Sequence, residues 1–154
     1  MRAGRPLVAL VAVLLLGAPA AARAADDTRP PIGAQSAILI EASTGDVLYA
    51  RAPEKPRPIA STTKLMTALL TVENTKLADK ARASDYIAAP IESKLSLRPG
   101  ERMTVADLLR GLMLESANDA AMTLAEHVSG STAAFVREMN RRARELGLTH
   151  THYS

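Results

Sequence analysis

The sequence predicts an α+β fold in which a short antiparallel hairpin precedes about four helices. Two β-prone runs, Ser36 to Glu41 and Asp46 to Arg51, flank a Gly-containing connection of the length that hairpins use. Beyond them, apolar residues recur at helical spacing in four separate stretches. Two strands cannot cover four apolar helix faces, and an isolated hairpin is only marginally stable, so we expect this architecture to be incomplete.

The first helix is reached through an irregular crossing from Ala52 to Pro58, which contains three Pro. Pro58 and Ser61 mark where the helix begins, and Glu73 to Lys76 marks its end. Its apolar residues cover a wide face, which predicts a largely buried helix. These residues are Leu65, Met66, Leu69, Leu70 and Val72.

The remaining helices have recognisable boundaries. A less periodic stretch comes first, in which Lys94 to Leu97 is expected to form a short strand or an extended edge. A Pro-Gly turn then spans Arg98 to Glu101. The second predicted helix is capped by Thr104, with Asp107 at the third position, and ends at Leu114; the third runs from Asn118 to His127 and is ended by Gly130. The fourth is capped by Ser131 or Thr132 and reaches Leu146, and its core stripe is Phe135, Met139, Ala143 and Leu146. Gly147 and an extended tail follow it.

The first 24 residues have the layout of a secretory signal peptide. A basic start is followed by an apolar run from Leu7 to Leu16 and by small residues that end in Ala22-Arg23-Ala24. The apolar run is too short for a stable membrane-spanning helix. We therefore expect cleavage after Ala24 and export to the periplasm or to the outer face of the cytoplasmic membrane.

Removing this leader changes the apparent charge of the protein. Three of the 19 basic residues and none of the 16 acidic residues lie in it, so the remainder is formally neutral. The basic excess is thus a targeting signal, and no nucleic-acid partner is indicated. The sequence has no Cys, so the exported protein must be stabilised by its core and not by disulfides.

Ser61 and Lys64 form a candidate nucleophilic pair. Residues three positions apart lie on one helix face, so these side chains can meet just inside the helix N-terminus. A Ser hydroxyl needs a nearby base, and a Lys amine can serve when burial and the positive end of the helix dipole favour its neutral form. Alone, the pair is equally explained as an N-cap and a solvated surface charge.

A second signal lies in the connection between two of the predicted helices. Ser116-Ala117-Asn118 follows Ser61 by 55 residues; by itself it reads as a linker whose Ser or Asn caps the next helix. Together, Ser-x-x-Lys and Ser-x-Asn have the order and setting found in penicillin-recognising serine enzymes.

On these motifs the sequence resembles the low-molecular-mass penicillin-binding proteins, the D-alanyl-D-alanine carboxypeptidases. Ala in the middle of the second motif fits them better than class A β-lactamases, where Asp usually stands. The resemblance covers most of the chain after the leader: Ala37 to Ile40, Thr44-Gly45, Val47 to Tyr49, Pro58 to Thr67, Leu108 to Ala121, Gly147-Leu148 and Thr151 to Tyr153.

The resemblance implies a helical cluster packed on an antiparallel sheet, and a serine-type D-Ala-D-Ala carboxypeptidase that acts on peptidoglycan pentapeptide stems. By resemblance Ser61 is the nucleophile and Lys64 the general base. Ser116 relays a proton to the leaving group, and Asn118 binds the substrate backbone and helps to hold Lys64. Penicillins acylate the same Ser in this family, and neither a metal nor a cofactor is implied.

The family's third motif, Lys-Thr-Gly or a close variant, does not follow Asn118. We therefore expect residues 25–154 to be the N-terminal portion of the catalytic domain, without the later sheet strands, the cation for the substrate carboxylate or a C-terminal membrane anchor. Such a chain is expected to be weakly active or inactive.

Two other functions stay open at this point. One is a serine β-lactamase whose deacylating Glu would lie beyond residue 154; rapid penicillin turnover would favour it. The other is a non-catalytic envelope protein that only binds peptidoglycan stems or β-lactams. Weaker still are a metal pair at His150 and His152, which has no third ligand, and a Ser-His-Asp triad, which has no Gly-x-Ser-x-Gly turn.

Overall fold

The computed structural model describes residues 31–154, so the predicted leader lies outside the described residues. The chain divides into two compact units between Glu54 and Lys55. The described part of the first unit contains the predicted hairpin, and the second contains four helices and a second small sheet. No helix in residues 31–154 has both the length and the apolar character needed to cross a membrane.

The hairpin is confirmed at the predicted place. Its strands, β1 (Ala37–Ile40) and β2 (Val47–Arg51), pair antiparallel with a register shift between Leu39 and Ile40. Gly45 has φ +81°, and its N–H donates to the Glu41 carbonyl at 2.8 Å. A left-handed residue is needed there, and Gly adopts that conformation without a steric penalty.

The second unit contains a two-stranded sheet that the sequence did not predict. Strands β3 (Lys80–Arg82) and β4 (Arg102–Thr104) pair antiparallel, and Ala81 of β3 is fully buried. Of the two forms predicted for Lys94 to Leu97, the strand is wrong, because this segment pairs with no strand among the described residues. The Arg98 to Glu101 turn is confirmed by the Glu101 N–H, which donates to the Arg98 carbonyl at 3.0 Å.

Four helices follow the predicted order. They are α1 (Thr63–Asn74), α2 (Val105–Leu114), α3 (Asn118–Ser129) and α4 (Thr132–Glu145). Thr104 caps α2 by accepting the Asp107 N–H at 3.1 Å, and Gly130 ends α3 with φ +75°. Leu146 is the C-cap of α4 and is 45% exposed, so its predicted place in the core stripe is wrong.

Helix α3 lies at the centre of the helical cluster. One buried cluster packs Ala120 and Leu124 of α3 against α2 and β3, and another packs Ala125 against α1 and α4. The small side chains of this helix let its neighbours approach closely. The fold thereby brings the start of α1 beside the start of α3.

Only one face of α1 is buried. Met66, Thr67, Leu70 and Thr71 form it, whereas Leu65 and Val72 are 59% and 54% exposed. The prediction of a largely buried helix is therefore too broad. Residues 65 and 72 lie two turns apart on the opposite face, and more than half of the surface of each is exposed.

The tail after α4 packs against that helix. The Tyr153 N–H donates to Asn140 Oδ1 at 2.9 Å, and Asn140 Nδ2 donates back to the Tyr153 carbonyl at 2.8 Å. The Tyr153 side chain packs on the cluster that contains Phe135 and Met139. The predicted tail is thus non-helical but fixed to α4.

The start of α4 gives a first testable prediction. Ser131 Oγ accepts the Ala134 N–H at 3.2 Å, which makes Ser131, and not Thr132, the N-cap. Ser131→Ala should lower the free energy of unfolding by about 1 kcal/mol. Thr132→Ala is the matched control and should change it by less than about 0.5 kcal/mol. Equal effects in urea unfolding would contradict the assignment.

Candidate active site

Ser61 lies at the entrance to α1 and not within it. A single 3-10 turn, Ala60–Thr62, precedes the helix, and Ser61 is exposed in that turn. Ala60 has φ +43°, a left-handed conformation that is unfavourable for a residue with a Cβ. Such strain is concentrated at functional sites, and here it directs the chain into the turn that presents Ser61.

Lys64 lies in the first turn of α1 and is half-buried. Its Nζ donates to Ser116 Oγ at 2.9 Å, to Asn118 Oδ1 at 2.6 Å and to the Ser116 carbonyl. Three acceptors match the three N–H groups of an ammonium. The amine is therefore fixed in place by the connection between α2 and α3, more than 50 residues away in sequence.

The connection between α2 and α3 is shaped to hold this amine. Ser116 has φ +55°, and the N-cap of α3 is the buried Ala117, which has no side-chain cap bond. The explanation of Ser116 or Asn118 as a helix cap is therefore wrong. Both side chains contact Lys64 instead, and the Ser116 carbonyl joins them.

Ser61 and Lys64 line one cavity of about 510 Å³, together with Asn118 from α3. Tyr86, Met122 and Thr67 complete much of its wall. Among the described hydrogen bonds, none joins Ser61 Oγ to Lys64 Nζ. Lys64 is thus hydrogen-bonded to Ser116 and Asn118, and Ser61 lines the same cavity as Lys64 without a hydrogen bond to it.

Two acidic side chains at the site were missed by sequence reasoning. Glu92 Oε2 accepts the Asn118 Nδ2 group at 2.7 Å and the Tyr86 hydroxyl. Asp119 is buried and accepts the backbone N–H groups of Leu95 at 2.9 Å and Leu97 at 3.0 Å. Asp119 directly follows the Ser-x-Asn motif in the first turn of a helix, a position that favours acids. No local pattern indicated Glu92.

Burial lowers the pKa of the Lys64 amine below its ordinary value, as the sequence analysis predicted. The negative charge of Glu92 acts in the opposite direction and raises it. Hydrogen bonds from Tyr86 and Asn118 lower the pKa of Glu92, so this carboxylate is ionised at neutral pH. The site therefore contains a half-buried Lys64 amine whose pKa reflects two opposing effects, the lowering by burial and the smaller raising by the Glu92 charge.

The histidines lie elsewhere. His127 is exposed near the end of α3, and both His150 and His152 are exposed in the tail. Residues 31–154 contain no group of three or more His, Asp and Glu side chains arranged to hold a metal ion.

The family described as D-alanyl-D-alanine carboxypeptidase, peptidase S11, matches residues 22–154. Among similar proteins, D-alanyl-D-alanine carboxypeptidase DacF of Bacillus subtilis is 44% identical over 125 residues, covering 78% of this chain and 32% of its own length. A D-alanyl-D-alanine carboxypeptidase of Streptomyces sp. strain K15 is 37% identical over 164 residues, covering 99% of this chain and 56% of its own length. The chain thus spans between about a third and just over half of these relatives.

Solved structures show the same fold. The Streptomyces K15 DD-transpeptidase is similar with a TM-score of 0.76 and 35% identity, over 82% of this chain and 53% of that one. Penicillin binding protein 5 of Haemophilus influenzae is similar with a TM-score of 0.74 and 33% identity, over 82% of this chain and 39% of that one. The expected serine β-lactamase/DD-peptidase fold is thus confirmed for the matched portion. The chain belongs to the D-alanyl-D-alanine carboxypeptidase family.

Proposed function

We propose that this chain carries the nucleophilic half of a serine-type D-Ala-D-Ala carboxypeptidase that acts on peptidoglycan stem peptides. The observation that carries the proposal is the Lys64 amine, held by Ser116 and Asn118 one helical turn from Ser61. A surface Lys would not be engaged by three acceptors from a distant connection. The names of the similar proteins supply the substrate class.

In the proposed reaction, Ser61 Oγ attacks the carbonyl carbon between the two terminal D-Ala residues while neutral Lys64 accepts the Ser61 proton. The new C–O bond forms an acyl-enzyme, and the C–N bond to the last D-Ala breaks. Ser116 Oγ, at 2.9 Å from Lys64 Nζ, passes the proton to the departing amine. Water then hydrolyses the ester and releases the shortened peptide.

Two further groups have proposed roles in binding. The Ser61 backbone N–H, at the start of α1, is a donor for the oxyanion that develops during attack. Asn118 uses one N–H of its amide for Glu92, and we assign the second N–H to a substrate carbonyl. Penicillin, which presents a strained amide to the same groups, would acylate the same Ser61.

The proposed location follows from the leader and the substrate. Residues 1–24 would direct export, because stem peptides lie outside the cytoplasmic membrane. The protein would act in the periplasm or at the outer face of that membrane.

Acylation by a fluorescent penicillin tests the proposal. An adduct should form, because Lys64 is positioned to accept the Ser61 proton when the lactam carbonyl is attacked. Fragmentation of the tryptic peptide spanning residues 52–64 should place the adduct on Ser61 and not on Thr62 or Thr63. An adduct on another residue, or none after prolonged incubation, would overturn it. Rapid penicillin turnover would support the β-lactamase alternative instead.

A further inference from the structure

Glu92 contacts the candidate site from the irregular segment between the two strands of the second sheet. Its Oε2 accepts Asn118 Nδ2 at 2.7 Å and also the Tyr86 hydroxyl, while its Oε1 accepts the Ala89 N–H at 3.2 Å. These donors come from two different parts of the chain. The carboxylate therefore joins the segment around Tyr86 to the start of α3.

The bond from Asn118 to Glu92 determines how the Asn118 amide is oriented. An Asn side chain presents an acceptor on one side and a donor on the other, whereas a carboxylate only accepts and an ammonium only donates. With Nδ2 toward Glu92, Oδ1 must face Lys64 Nζ, which lies 2.6 Å away. The flipped amide would place oxygen against carboxylate and N–H against ammonium.

We propose that Glu92 is a positioning residue, which sets the orientation of the Asn118 amide and thereby holds the Lys64 amine beside Ser61. This inference rests on the proposed function for its catalytic meaning. The bonding pattern itself does not depend on that function.

Glu92 can act in this way because its own position is fixed. The backbone N–H of Asn118 donates to the backbone carbonyl of Ser93 at 2.8 Å. The residue after Glu92 is therefore bonded to the first residue of α3. Beyond it, Leu95 and Leu97 donate to the buried Asp119. The segment from 92 to 97 is thus attached along the start of α3.

The charge of Glu92 gives a second effect that can be measured separately. It raises the pKa of Lys64, against the lowering by burial. The ionisable groups around this pair are Tyr86, whose pKa is raised by its hydrogen bond to Glu92, and Lys94, whose charge adds to the lowering of the Glu92 pKa by hydrogen bonds. Asp119 acts on Tyr86. Removing only the charge of Glu92 should therefore make Lys64 easier to deprotonate.

Two substitutions separate orientation from charge. Glu92→Gln keeps an oxygen that can accept from Asn118 and Tyr86, and Glu92→Ala removes it. The first readout is the Asn118 side-chain amide in ¹⁵N NMR. Its hydrogen exchange should be faster in Glu92→Ala than in the native chain, and should be largely restored to the native rate in Glu92→Gln.

The second readout is the titration of Lys64, followed by its acetylation with acetic anhydride against pH and by peptide mass spectrometry. In Glu92→Gln the midpoint should move to lower pH. Glu101→Gln is the matched control, because Glu101 is an exposed carboxylate that accepts the Arg98 N–H at 3.1 Å. It should leave the midpoint unchanged.

Native exchange of the Asn118 amide in Glu92→Ala would overturn the inference, whereas a Lys64 midpoint in Glu92→Gln that is unmoved or higher would overturn the charge effect. If the Ala chain fails to fold, exchange of the same amide in Glu92→Leu, which fills the space without an acceptor, decides. Neither readout requires penicillin. If both shift as expected in a chain that penicillin does not acylate, the positioning role stands and the proposed function falls.

Discussion

Lys64→Met is expected to slow acylation of Ser61 by penicillin by roughly 100-fold or more. Met preserves most of the length and apolar contact of the Lys side chain but removes the amine that Ser116 and Asn118 hold. Without that base, the Ser61 hydroxyl must lose its proton to water. The measurement is the pseudo-first-order rate of adduct formation with a fluorescent penicillin, and Ser61→Ala supplies the zero.

The pH dependence identifies the base more specifically than the rate does. Burial lowers the pKa of Lys64, and only the neutral amine can accept the Ser61 proton. The native rate should therefore rise with pH up to this lowered pKa and then level off, whereas Lys64→Met should lack that rise. Lys80→Met, in the exposed part of β3, is the matched control and should behave as the native chain. A Lys64→Met chain with the native rate and profile would show that Lys64 is not the base.

Elements with local chemical signals were predictable from the sequence. The left-handed positions at Gly45 and Gly130 and the cap at Thr104 each follow from the properties of one or two residues. The helices were located by apolar spacing, which the packing around α3 confirms. Where a boundary depends on a cap, the sequence placed it within a few residues.

The second sheet could not be read from the sequence because its strands have three residues each. Lys-Ala-Arg carries little β propensity, and only Ala81 is buried. Its partner, Arg102–Thr104, lies 20 residues further along the chain, so the pairing depends on contacts distant in sequence. The exposure of Leu65 and Val72 has a similar origin, since apolar spacing shows which faces are apolar and not which ones are covered.

The residues of the candidate site also fall into two groups, those that were predictable from the sequence and those that were not. Ser61, Lys64, Ser116 and Asn118 belong to two compact motifs. Ser116 and Asn118 bond the Lys64 amine, and Ser61, Lys64 and Asn118 line one cavity. Glu92 and Asp119 act through bonds to Asn118 and to the backbone of a segment without periodicity. These three bonds join residues that are 22 to 26 positions apart, so they follow from the folded chain and not from local spacing.

Asp119→Ala is expected to lower the free energy of unfolding by about 3 kcal/mol. The Asp119 side chain is buried and accepts three backbone N–H groups, from Leu95, Leu97 and Ala120. Ala would leave these donors without the carboxylate, and a buried unpaired donor costs about 1–3 kcal/mol. Urea unfolding of the native and variant chains measures the difference.

Asp85→Ala is the matched control, because Asp85 is an exposed carboxylate in the same unit and should change the free energy of unfolding by less than about 0.5 kcal/mol. Asp119→Asn keeps one acceptor oxygen and should fall between native and Ala. A loss below about 1 kcal/mol in Asp119→Ala would show that other groups hold the 92–97 segment. If the expected loss is found, faster exchange of the Asn118 amide in Asp119→Asn would connect this anchor to the site, because the same segment carries Glu92.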